Sequence, residues 1–304
     1  MKPIETVGVV GRGALGVSFA HLLTQALGPE RVLVLADRER VRRYEAEALL
    51  YNGRPCPLHY VDTTAAPPVD LLLFSTKFGA LRQAAESCRR VITPETTLLS
   101  VLNGISSEEV LGELFSPEQI VWCVAQKMSA KKEGSVVTVE PVGELAIGVP
   151  EGYDACHLRR LTAFFDGIGF PYSLPPDIRL HMWSKLLCNT GCNQAAMVYR
   201  CGYGAMQVPG EVRDTMLGAM REVAAVAQAR GIPLTEADVA AWAAVIESLP
   251  AHGEPSMRQD AKARRKSEVE LFSGTVRHLG RESGVPTPVN DRLYREILAM
   301  EQAY

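Results

Sequence analysis

Along the first half of the chain, short apolar runs alternate with segments of helical periodicity. Val7–Val10, Val32–Ala36, Leu71–Ser75, Thr97–Leu102 and Ile120–Ala125 read as strands. Gly13–Leu27 and Gly79–Arg90 read as two of the helices that connect them. That alternation predicts a mostly parallel sheet with crossover helices. Ser135–Val139 and Glu144–Val149 are expected to pair through a turn at Pro141-Val142-Gly143. His157–Ile168 is amphipathic, and Pro171–Leu174 is placed to close the sheet. Pro175-Pro176 then interrupts the pattern, because successive prolines favour extended chain. Beyond it the periodicity is helical over 177–197, 211–230, 236–248, 257–282 and 288–302. Gly231 supplies a stop signal, and Ser256-Met-Arg-Gln259 has the form of a capping box. The expectation is an α/β domain over 1–175 followed by an all-α domain over 176–304.

One helix departs from simple amphipathicity. Lys185, Asn189 and Asn193 recur at every fourth position, so they stack along one side. Leu186, Leu187, Cys188, Cys192 and Ala196 make the rest of that helix apolar. Buried lysines and amides are costly unless partnered, so the stripe must meet internal groups, water or a ligand. A solvated edge on a core helix is the plainer alternative.

Composition narrows the function classes. With 304 residues, 47% hydrophobic and 22% charged, the chain is an ordinary globular one with room for two cores. A net charge of −3 does not suggest attraction to nucleic acid or anionic lipid. No apolar run reaches membrane-spanning length, and no signal-peptide pattern opens the chain. The seven cysteines are scattered without a Cys-x-x-Cys pair, which favours free thiols in a reducing cytoplasm and gives no zinc pattern.

A dinucleotide signature sits at the first strand–helix turn. Gly11-Arg12-Gly13-Ala14-Leu15-Gly16 has glycines for a tight turn, for close approach of a pyrophosphate, and for helix–strand packing. Asp37 follows at the end of the next strand, about 20 residues on, the spacing at which an acidic residue meets a ribose. Asp37 suits NAD(H) and would repel the 2′-phosphate of NADP(H). Arg38, followed by Arg40, Arg42 and Arg43, can hold such a phosphate or stack on adenine. A solvated basic helix start explains the arginines equally well.

These features together resemble the ketopantoate reductase (2-dehydropantoate 2-reductase) family across nearly the whole chain. The resemblance rests on the Gly11–Gly16 loop, Ser75-Thr76-Lys77, Leu102-Asn103-Gly104, Trp183-Ser184-Lys185 with Asn189 and Asn193, and Ser256 followed by Glu268. It implies a Rossmann-type domain, a helical domain, and an active site in the cleft between them. It also implies NADP(H) as the favoured cofactor, with NAD(H) open because of Asp37. The implied reaction is reduction of ketopantoate to (R)-pantoate in pantothenate biosynthesis. By the same resemblance Lys185 donates the proton, Asn189 and Asn193 bind substrate, and Ser256 meets its carboxylate. Glu268 lies near cofactor and lysine, and Lys77 and Asn103 stand at the nicotinamide end, where Asn103 also reaches substrate. A homodimer is a candidate assembly.

The chemistry agrees with those roles. Hydride addition to a ketone puts charge on its oxygen, and a placed proton donor is typically worth about 10²–10⁴-fold. His181, one turn before Lys185, is a second candidate donor that the resemblance does not select. Lys185 has an alternative as an ion-pair partner, Ser256 as a plain N-cap, and Glu268 as a surface partner of Arg264, Arg265 and Lys266. Gln194 stands where the family usually has proline, and Tyr203 where a further asparagine is often found. These departures bear on the substrate: another branched 2-keto acid is the alternative. A nicotinamide-binding sensor without turnover is the alternative from a different class, but its expected mark, loss of Lys185 or the stripe, is not present.

Overall fold

The computed structural model describes all residues 1–304. The chain divides into two compact units, Met1–Asn103 with Ser107–Ile178, and Gly104–Ser106 with Arg179–Tyr304.

The first unit is built on an eight-stranded sheet. Its strands are β1 (Val7–Val10), β2 (Val32–Ala36), β5 (His59–Asp62), β6 (Leu71–Phe74), β7 (Thr97–Ser100), β8 (Ile120–Gln126), β11 (Glu144–Gly148) and β12 (Tyr172–Ser173). A second sheet of β3 (Leu50–Tyr51), β4 (Arg54–Pro55), β9 (Ala130–Glu133) and β10 (Val136–Val139) runs in the order β4-β3-β10-β9. The large sheet runs β12-β11-β8-β7-β6-β1-β2-β5, parallel from β5 to β8, with β11 antiparallel to β8. Val7, Val9 and Val10 of β1 are buried because both sheet faces are covered, as a parallel sheet requires. One core gathers Val9, Val34, Leu73 and Leu99 with Phe19 and Leu23 of α1 (Ala14–Leu27) and Phe165 of α5 (Cys156–Ile168). The other packs Leu35, Leu72, Phe74 and Leu98 against Leu81 and Ala85 of α3 (Leu81–Ser87) and Leu111 of α4 (Ser107–Gly112). The short α2 (Arg38–Glu45) follows β2.

Two sequence expectations are overturned. β10 and β11 are not a hairpin: β10 pairs with β9, Val136 opposite Glu133, while β11 pairs with β8, Glu144 opposite Gln126. β10 alternates exposed and buried positions, whereas β11 is buried almost throughout, so the two suit different sheets. The polar strand β9 and its two-residue Gly134-Ser135 turn, with Gly134 at φ 56°, were hidden by composition.

The second unit is helical: α6 (Ile178–Val198), α7 (Gly204–Gln207), α8 (Glu211–Ala229), α9 (Glu236–Ser248), α10 (Ser256–Lys262), a π turn (Glu270–Gly274), α11 (Thr275–Ser283) and α12 (Pro288–Glu301). The single helix expected over 257–282 is broken. Arg264 adopts φ 49°, and Arg265 N donates to Asp260 O at 2.9 Å, closing α10. Ala263-Arg264-Arg265-Lys266 has no apolar face with which to continue it, and all four residues are exposed. No helix is long and apolar enough to cross a membrane.

Candidate functional site

In the α/β unit the glycine loop separates packing from binding. Gly11 adopts φ 112°, and a Cβ there would stand 2.3 Å from Ser75 O. A Cβ on Gly16 would stand 2.1 Å from Gly11 O. Both must be glycine for the loop to close. A Cβ on Gly13 would meet only Ser75 O, at 3.8 Å, so the fold itself does not demand glycine there. α1 starts at Ala14 with no side-chain cap and no acidic residue in its first turn. The N–H groups of Ala14, Leu15 and Gly16 therefore have neither a helical nor a capping acceptor. Uncapped donors beside an uncrowded glycine fit a dinucleotide pyrophosphate.

Arg12 turns its side chain inward. Its guanidinium lies 4.7 Å over the Tyr44 ring, donates to Tyr60 Oη at 3.0 Å, and pairs with Glu47. That pairing holds the Glu47 carboxyl below its usual range. Lys132 Nζ, from β9, donates to Arg12 O at 2.7 Å, tying the small sheet to the loop. Burial holds the Lys132 ammonium below its ordinary value, and neighbouring Arg12 adds to this.

Asp37 is the N-cap of α2: its Oδ1 accepts from Arg40 N at 2.8 Å, and Oδ2 lies 3.5 Å from Arg40 Nε. Arg38, Arg40, Arg42 and Arg43 are exposed along α2. Lys77 follows β6 at the entry to a 3₁₀ turn, next to Thr76, whose buried hydroxyl has no hydrogen-bond partner. Asn103 follows β7 and precedes Gly104, which needs φ 88°.

Sequence reasoning missed a carboxyl close by in the chain. Ser100 Oγ donates to Ser107 Oγ at 2.8 Å, and Ser107 Oγ to Glu108 Oε2 at 2.9 Å. Burial lifts the Glu108 carboxyl to about 7, against hydrogen bonds from Ser107 and the Cys123 backbone. Its only signal was a Ser-Glu pair at a helix start, a pattern that usually marks an exposed cap.

In the helical unit the stripe holds together. Lys185 and Asn189 are partly exposed, and Asn193 is buried. Asn193 Nδ2 donates to Asn189 Oδ1 at 3.3 Å. Asn193 Oδ1 accepts from Ser256 Oγ at 3.0 Å and from Met257 N at 3.1 Å. The capping-box expectation at Ser256 is therefore corrected. Pro255 is the N-cap and Ser256 already belongs to α10, so its hydroxyl turns to Asn193. A carboxamide from α6 caps α10 instead. Asn189 Nδ2 makes no protein hydrogen bond, so this carboxamide keeps its donors, whereas the Ser256 hydroxyl proton is given to Asn193.

Next to the stripe, burial raises the thiol of Cys188 to about 12, opposed by Lys185. Burial likewise raises the Tyr203 phenol, with Cys192 and Cys188 adding to the shift. This thiol and this phenol therefore stay neutral near pH 7. Glu268 is partly buried, and its carbonyl accepts from Leu271 N at 2.9 Å at the entry to the π turn.

Comparison with known proteins gives a consistent picture. Residues 7–152 match the family described as "Ketopantoate reductase PanE/ApbA", and residues 177–301 match its C-terminal counterpart. A 2-dehydropantoate 2-reductase of Mycobacterium tuberculosis (strain CDC 1551 / Oshkosh) is 28% identical, over 94% of this chain and 95% of that one. A D-mandelate dehydrogenase solved with NADH and anilino(oxo)acetate superposes with TM-score 0.85 at 24% identity, over 98% of this chain and 99% of that one. A dimeric ketopantoate reductase of Staphylococcus aureus superposes with TM-score 0.84 at 22% identity, over 98% and 99%.

Proposed function

Because the chain belongs to the ketopantoate reductase family of NAD(P)H-dependent oxidoreductases, we propose that it reduces the ketone of 2-dehydropantoate to (R)-pantoate, with NADPH. The stripe of α6 carries this reading: an ammonium one helical turn from two carboxamides and a serine that hydrogen-bond in series. When bound, the nicotinamide supplies a hydride to the carbonyl carbon. Lys185 passes a proton to the ketone oxygen and becomes a neutral amine. Asn189 orients the substrate ketone, Asn193 holds the start of α10 through Met257 N, and Ser256 turns its hydroxyl from Asn193 to the substrate carboxylate. Gly11, Gly13 and Gly16, with the start of α1, hold the pyrophosphate. Lys77, Asn103 and Glu268 complete the proposed set around nicotinamide and lysine. A homodimer, as described for the Staphylococcus aureus protein, is the proposed assembly.

A second reading, another branched 2-keto acid, is favoured by Tyr203 and Gln194, the departures noted in the sequence. Steady-state rates decide between the two. Lys185→Ala is expected to lower kcat at least a hundredfold, and near-normal turnover would sink the proton-donor role. Across a panel of 2-keto acids, ketopantoate is expected to give the highest kcat/KM. A higher value for an analogue without the hydroxymethyl group would select the second reading.

A further inference from the structure

A closed polar network that the reduction chemistry does not use lies inside the helical unit. Gln194, Ser273 and Asn290 are all 0% exposed. Gln194 Nε2 donates to Thr190 O at 2.6 Å and lies 3.4 Å from Asn290 Oδ1, while its Oε1 accepts from Ser273 Oγ. Ser273 Oγ is also 3.0 Å from Asn290 Oδ1. Asn290 Nδ2 donates to Glu222 Oε2 at 2.8 Å. Glu222 in turn accepts from Val289 N at 2.7 Å and Asn290 N at 2.9 Å, holding the start of α12. The network thus joins α6, the π turn, α8 and α12.

Its two ends bear on the stripe and on Glu268. Gln194 is the neighbour of Asn193 on α6. Ser273 sits in the π turn, five residues after Glu268. In that turn Gly274 N reaches back to Val269 O at 2.9 Å, which accommodates one extra residue. One residue is about 100° of rotation on a helix, so relaxation of the turn to α geometry would swing Glu268 around the axis. The buried network opposes such a rotation, because moving Ser273 would leave Gln194 Oε1 without its donor.

We propose that Gln194, acting through Ser273 and Asn290, is a positioning residue that sets the direction of Glu268 relative to Lys185. The proposal rests on the reduction chemistry above. Gln194→Met keeps the volume and removes the amide, and Ser273→Ala removes the other end more gently. In the full-length protein either variant is expected to lower kcat for 2-keto acid reduction at least tenfold, with KM for NADPH within threefold of wild type. The double variant Gln194→Met/Ser273→Ala takes both donors from the buried Asn290 Oδ1, so neither its Tm nor its kcat should rise above those of the single variants. Near-normal kcat in either folded single variant overturns the proposal, and so does kcat recovering together with Tm in the double variant. If Gln194→Met does not fold, Ser273→Ala decides. Wild-type protein that reduces no 2-keto acid overturns the reduction reading first, a result visible before any variant is made.

Discussion

At the scale of single residues, the most consequential group outside the stripe is Glu108. Its carboxyl titrates near 7 in the fold, above the ordinary 4.5, because burial disfavours the charged form. The folded state therefore holds this proton more tightly than the unfolded chain does. The stabilisation linked to it is present below about 4.5 and is lost as pH rises through about 7. A shift of that size corresponds to about 3 kcal/mol. Glu108→Gln has no charge to bury, so its stability should gain on wild type between pH 5 and pH 8. Urea titrations at the two pH values read the gap, and a constant gap would show that the Glu108 carboxyl binds its proton no more tightly in the fold than in the unfolded chain. Asn193 shows the other side of residue-scale behaviour. Its place in the stripe was legible from spacing, but its task of capping α10 was not, since Met257 lies 64 residues away.

Among the elements, the strand–turn–helix start of the α/β unit allows two glycines to be told apart. Gly16→Ala puts a methyl against the backbone oxygen of Gly11, which cannot move without opening the turn. A stability loss of roughly 2 kcal/mol or more is expected. Gly13→Ala meets no such obstacle, so stability should stay within about 1 kcal/mol while cofactor Kd rises at least tenfold. Thermal unfolding with a binding titration checks both, and a Gly13 variant with unchanged Kd would remove the pyrophosphate from this loop. Helices α6, α8, α9 and α12 were legible because their apolar positions recur with the helical period, whereas α7 and the break after α10 were not. The pairing of β10 and β11 was not. Strand periodicity says which face a side chain takes, not which strand lies beside it.

For the whole molecule, cofactor preference is the open quantity with a physical handle. Asp37, placed by the sequence to meet a ribose, is exposed and also caps α2, and four exposed arginines follow. NADPH is therefore expected to stabilise the protein more than NADH at equal concentration. A cofactor at a hundred times its Kd adds about 2.7 kcal/mol to the unfolding free energy. A thermal-shift comparison suffices, and a larger shift with NADH would return Asp37 to its ribose role. From the chain alone came the alternation of elements, the glycine spacing and the polar stripe, because each depends on residues within a turn or two of one another. Sheet order, the trans cap on α10, the inward course of Arg12, the burial of Glu108 and the Gln194 network were decided only by tertiary structure. Each of these joins residues far apart in sequence, and local periodicity carries no record of the distant partner.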